Sequence, residues 1–225
     1  MNYLEYALVI ANQIPVDKSS TAFQAFLPSI IDYAEQRIYR ELNLLSTRIR
    51  NSSANCTANN RSFTLPTNLG TFITVTEISI ITPVGSTAAN GTRNVIMSAA
   101  KKLVDVVAPT NTAVSASQVP SMYYMLDQQT VIFGPSPGAA FNVEVTGTIR
   151  PAPLSATNTT TFLTTNLPDL FVAASMVYAG NNMRDFGIEA GNASIAQSWE
   201  QQYQALFASA NAEETRKRYN LEVSQ

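Results

Sequence analysis

From Phe23 onward apolar residues recur every three to four positions: Phe23, Phe26, Leu27, Ile30, Ile31, Ala34, Ile38 and Leu42. That stripe predicts an amphipathic helix, with Arg37, Arg40 and Glu41 mostly on its other faces. Ser19, Ser20 and Thr21 offer N-caps, and Pro28 inside the pattern predicts a kink or a new start. Ahead of it, Asn2–Asn12 predicts a short helix with Leu4, Leu8 and Ala11 on one face.

The period changes after Leu45. Phe63-Thr64-Leu65-Pro66 reads as a short strand ended by proline, and Phe72–Ile81 as a longer one rich in β-branched residues. The apolar side of the latter switches near Glu77, which predicts a bulge or burial on both faces there. Further strands are expected at Asn94–Met97, Leu103–Val107, Met122–Leu126, Thr130–Phe133 and Phe141–Ile149, with Asp127-Gln128-Gln129 as a hairpin turn. Gly85–Thr92 reads as a loop. Pro151–Thr165 has no clear period and reads as a crossing back.

Asn166 then predicts an N-cap, with Pro168 in the first turn and Asp169 at the positive helix end. Leu167, Leu170, Phe171, Ala174, Val177 and Tyr178 form the buried stripe, and Gly187 ends the helix. A last helix carries Ile195, Trp199, Tyr203, Leu206 and Ala210 on one side, with Glu213/Lys217 and Glu214/Arg218 as i,i+4 pairs in a solvated end. The expected fold is α+β: a helical bundle from both chain ends (1–43 and 166–219) with an antiparallel β sandwich or open barrel inserted at 44–165. Residues 220–225 are expected as a free tail.

Composition changes this picture in one respect. Charged residues make up only 13% of the 225, with a formal net charge of -2, and Ser, Thr, Asn and Gln take their place. Such a surface favours association. Fourteen Lys and Arg against sixteen acids argue against a dedicated nucleic-acid binder. Met1–Asn12 contains Glu5 and no basic start, unlike a signal peptide. The Asn-x-Ser/Thr triplets at Asn51, Asn55, Asn60, Asn90, Asn158 and Asn192 are then chance products of composition. No apolar run approaches the roughly 18 residues of a membrane span, so no membrane partner is expected.

Candidate chemistry is sparse. The absence of histidine removes His-dependent triads, and one cysteine removes multi-thiolate zinc sites. No phosphate-binding or dinucleotide-binding glycine motif occurs, and no cofactor is implied. Cys56, in a polar Asn/Ser run, reads as a surface or turn thiol. The carboxylate pairs Asp32/Glu35 and Asp169/Asp185 read as solvated helix faces. Trp199 reads as part of the packed stripe. Adjacent strand residues point to opposite faces, so Tyr123 and Tyr124 are expected to divide between core and a subunit boundary. Arg216-Lys217-Arg218 reads as a solvated helix end, with DNA or an acidic partner as what it could touch. Tyr219, Leu221 and Val223 alternate beyond it, a pattern suited to strand addition or groove docking on a partner.

Several stretches in order carry a family resemblance: DYAEQRIYREL from Asp32, Phe63-Thr-Leu-Pro, Pro120-Ser-Met-Tyr-Tyr, VIFGPSPG, FNVEVTGTI, RPAPLS, TNLPDLFVAASMVYAGNNMRDF, and WEQQYQAL from Trp199. The series resembles the head-to-tail adaptor proteins of tailed bacteriophages, especially the tail tubular A type, over roughly residues 20–210. The resemblance implies a non-enzymatic virion protein at the head–tail junction: a ring, a dodecamer, joining the portal to the tail nozzle or tube. Its channel would pass genomic DNA without sequence specificity. Arg216, Lys217, Arg218, Tyr219, Leu221 and Val223 are the expected portal-binding residues. A carbohydrate-binding β module is the alternative reading, and a carboxylate-based wall hydrolase a third.

Overall fold

The structure is a computed structural model and describes residues 1–14, 16–181 and 193–223. The chain divides into two units, Met1–Ser46 with Ala152–Gln225, and Thr47–Pro151.

The first unit is helical. It comprises α1 (Tyr3–Gln13), α2 (Thr21–Glu41), α4 (Phe162–Asn166), α5 (Pro168–Asn181) and α6 (Ala193–Val223). α5 is apolar almost all round, as a fully enclosed helix must be, and α1, α2, α4 and α6 each pack against it. Leu27, Ile31, Ile38, Leu170 and Ala174 share one buried core, with Tyr178 and Trp199 packed partly buried against it. Tyr6 stacks on Phe171 at 4.7 Å between ring centroids. The Tyr6 hydroxyl lies 2.6 Å from Ser175 Oγ, and Ser175 donates to the Phe171 carbonyl, so Tyr6 is the donor to Ser175. This satisfies a buried phenol, whose ionisation burial pushes far up.

Local chemistry sets the helix ends. Asn2 and Glu5 form a capping box at the start of α1, and Ser20 caps α2. α2 runs unbroken through Pro28, which lies on its exposed side. On α1 the buried face is Tyr6, Ala7, Ile10 and Ala11, whereas Leu4 and Leu8 are exposed. The expected Leu4/Leu8/Ala11 face is therefore corrected: the larger Tyr6–Ile10 side takes the core. Asn166 is not an N-cap but the last residue of α4, its side chain bonded to the Phe162 carbonyl. Thr161 caps α4, a short helix in a stretch expected to lack one. Leu154 in the same stretch is buried in the helical core. The expected end at Gly187, Asp185 and the Asn192 triplet lie outside the described residues, as does the side chain of Ile195. α6 continues to Val223, so the expected free tail from 220 is helical as far as that residue.

The second unit holds seven strands and one helix: β1 (Arg48–Asn55), β2 (Ser62–Thr64), β3 (Thr71–Thr82), β4 (Thr92–Ser98), α3 (Lys101–Val107), β5 (Met122–Met125), β6 (Thr130–Gly134) and β7 (Asn142–Arg150). They form one sheet in the order β1-β7-β3-β4-β5-β6-β2. Residues from both ends of that order, Ile49 and Ala54 of β1 and Phe63 of β2, meet a single core with Ile78, Ile80, Val143 and Phe133, so the sheet curls around it. It is not wholly antiparallel, because β4 and β5 run parallel. The ladder between β3 and β7 shifts register between Val75 and Glu77, where the apolar side changes. Lys101–Val107 is a helix, not the strand expected from its β-branched residues; Val104 and Ala108, four apart, turn inward. Gly134 makes room for it: a Cβ there would meet Val104 at 2.7 Å. Cys56 is buried in the β core rather than exposed, which pushes its thiol pKa up.

Candidate interaction surfaces

The end of α6 holds the residues expected to bind a partner. Glu214 is buried, not solvated, and accepts hydrogen bonds from the Leu45 amide and Lys217 Nζ, both at 2.8 Å. Lys217 also bridges Glu213 at 2.6 Å, the expected i,i+4 pair. The expected Glu214/Arg218 pair is replaced, since Arg218 donates to the Asn43 carbonyl. The basic triplet therefore splits. Arg218 fastens α6 to the segment after α2 and Lys217 holds the acids of its own helix, while Arg216 stays exposed with its Nε on the Ala212 carbonyl. Tyr219 and Val223 stand 66% and 68% exposed one turn apart, and Leu221 is 44% exposed. Being helical, the three do not alternate as a strand would: 219 and 223 share a face and 221 does not.

A charged seam joins α2 and α6. Arg37 reaches both oxygens of Glu200 at 2.7 Å and Glu41 at 3.1 Å. Its guanidinium also lies 3.9 Å from the Tyr203 ring centre. Tyr203 donates to Glu41 at 2.6 Å. The fork geometry of arginine suits such two-point pairing. Glu200 is pulled down to about 2, chiefly by its hydrogen bonds from Arg37. A cavity of about 450 Å³ opens here, lined by Tyr33, Arg37, Arg40, Glu41 and Glu200. Arg37, Glu41 and Glu200 are engaged with one another there, and Arg40 donates to Gln36.

Glu35 departs most from the sequence reading. It is 5% exposed, and one oxygen accepts from the Leu154 amide at 3.0 Å. Burial raises its pKa to about 7, opposed by that hydrogen bond and aided by Asp32. Asp32 itself is exposed and holds Gln36. The pair does not converge on a cleft, and Glu35 faces protein on all sides.

On the β unit, Arg93 grips the buried Glu144 at 2.8 and 3.2 Å, with Arg50 at 3.5 Å. Beyond Arg93 on the same face of β4 stand the exposed Val95 and Met97. Met97 pairs in register with Met122, whose side chain borders the place where α3 packs over Gly134. Leu103, Val106 and Val107 of α3 are exposed beside them. The sequence reading missed this surface; its signal was the Arg93/Val95/Met97 alternation. Tyr123 is buried in the β core, and Tyr124 is half-buried with Lys101 5.6 Å from its ring centre.

Among the described residues no group of three His, Cys, Asp or Glu could hold a metal, and no helix is long and apolar enough to cross a membrane. No curated protein matches the chain. One family model matches residues 1–224, that of the SU10 adaptor protein. With the match covering nearly the full length, the chain belongs to the SU10 adaptor protein family and is a phage structural adaptor.

Proposed function

We propose that the protein forms a closed ring between the portal and the tail nozzle or tube, leaving a channel through which the genome passes. The family match over residues 1–224 carries this reading. The chemistry of the chain supports it: the strongly shifted carboxylates, Glu35 and Glu200, are either enclosed or locked in ion pairs. Exposed apolar residues on α1, α3, β4 and the end of α6 offer surface for neighbours. In this reading both chain ends make one helical bundle and the β unit is inserted in it. The end of α6 is the portal-facing element, with Arg216, Tyr219 and Val223 its outward residues.

A cyclic assembly needs two different patches per copy, so that each meets the next and the ring closes. A near-neutral chain suits a conduit, because a basic lining would hold the DNA it must release. Electron microscopy of the purified protein mixed with portal rings tests the reading. An added annular layer coaxial with the portal is expected. Portal rings that stay bare at saturating protein contradict it.

A further inference from the structure

One end of the sheet's outer face carries arginines that the chain itself does not neutralise. Ile49 packs on the β core, so Arg48 and Arg50 on either side of it point outward. Arg48 is exposed, and the Arg50 side chain is 58% exposed. In the ladder to β7, Arg48 stands opposite Thr148 and Arg50 opposite Thr146. Arg150, two residues beyond Thr148, shares their face and stands diagonal to Arg48, with Thr71 of β3 opposite it. The acids of this face lie farther along it. Glu144 is roughly 13 Å along β7 from Thr148 and roughly 20 Å from Arg150. It is held by Arg93 at 2.8 Å, with Arg50 at 3.5 Å. Glu77 stands opposite Thr146 on β3. Among the described residues no carboxylate pairs with Arg48 or Arg150, and the buried Nε of Arg150 has no acceptor. Like charges side by side on a sheet repel, so the cluster calls for an anion from outside the chain.

We propose that this arginine–threonine face binds the phosphate backbone of double-stranded DNA. DNA as the source of phosphate follows from the conduit reading, on which the proposal rests, and the face itself suits it. The residue opposite each arginine is a threonine, not the apolar anchor that centres a protein interface. Guanidinium and hydroxyl groups are donors that meet phosphate oxygens without reading sequence. Three arginines give a weak, salt-sensitive hold on any sequence, so DNA slides past them. A conduit needs that much contact to centre the duplex and no more, since a denser basic lining would retain the genome.

Binding of a short fluorescent duplex of mixed sequence to the unassembled full chain is measured by anisotropy across a salt series. The parent is expected to bind at low salt, with log affinity falling against log salt at a slope of about two to three. Arg48→Gln and Arg150→Gln should each cut that slope by about one and weaken binding equally on any sequence. Thermal melting checks that both variants fold, and Arg48→Lys, which keeps the charge, retains binding. Lys102→Gln removes an exposed charge elsewhere on the same unit and leaves binding unchanged. A parent that does not bind at low salt overturns the proposal, as do glutamine variants that bind like the parent. An equal loss in Lys102→Gln also overturns it, since net charge would then be the cause. Glutamine variants that keep DNA but no longer join portal rings would give the face to an acidic protein surface instead. Inorganic phosphate that competes as strongly as DNA, phosphate for phosphate, would make it a free-anion site. Each of these outcomes leaves the ring reading standing, which fails only where the parent leaves portal rings bare.

Discussion

Replacing Glu35 with glutamine should flatten the response of the helical unit's stability to pH. Glu35 sits 5% exposed on α2, and among the described residues its carboxylate has a single hydrogen-bond donor, the Leu154 amide. An ionised carboxylate in such a place lacks the partners that would replace water, so it holds its proton to about pH 7 rather than 4.5. The sign follows from proton binding. Between those two values the folded state binds the proton more tightly than the unfolded state, so stability is full below about pH 4.5 and falls as pH rises toward 7. At 1.36 kcal/mol per pH unit the loss approaches ~3 kcal/mol. Glutamine keeps the acceptor for Leu154 but leaves its amide hydrogens without partners, which costs ~1–3 kcal/mol at every pH. The clearest difference is therefore slope. Urea unfolding followed through Trp199, the single tryptophan, reports on the helical unit. The chain has no histidine, so from pH 5 to 7 no side chain of ordinary pKa competes. Wild-type stability should fall by ~2–3 kcal/mol over that range relative to Glu35→Gln. Parallel curves for the two proteins would refute the reasoning.

Truncating Leu170, 1% exposed on the central helix, to alanine should cost ~2–5 kcal/mol in the same unfolding assay; an unchanged midpoint would remove it from the core. Glu214→Ala leaves the Leu45 amide without its acceptor and Lys217 without one partner, and should lower stability by ~1–3 kcal/mol while speeding hydrogen exchange at Leu45. Removing residues 219–225 should leave thermal melting nearly unchanged and weaken assembly on portal rings, read by co-sedimentation. Unaltered affinity would show that the end of α6 takes no part in the contact.

The stripes of α2, α5 and α6 were legible because each buries a face set by local spacing, and the strands from Thr71 to Thr82 and from Met122 to Arg150 because they are apolar enough to mark their own ends. β1 was not. Its sequence, RIRNSSAN, has almost no apolar alternation, and its strand form comes from the ladder to β7, nearly a hundred residues away in the chain. α3 was read as a strand because Leu-Val-Asp-Val-Val is β-branched, yet packing of Val104 over Gly134 and the Lys101–Asp105 pair favour a helix. Glu35 and Glu214 were read as solvated for a similar reason. The donor to Glu35 and one of the donors to Glu214 are backbone amides 119 and 169 residues away, which no local pattern encodes. The resemblance to phage adaptor proteins holds at that level, though not as far as the tail tubular A type, because it rests on ordered stretches rather than on any one element.

Cryo-electron microscopy of the whole virion tests the central claim most directly. The account predicts a closed ring of this chain at the head–tail vertex, between portal and tail and around an open channel. Density for the chain elsewhere in the particle, or a vertex in which portal and tail meet without it, would contradict the account.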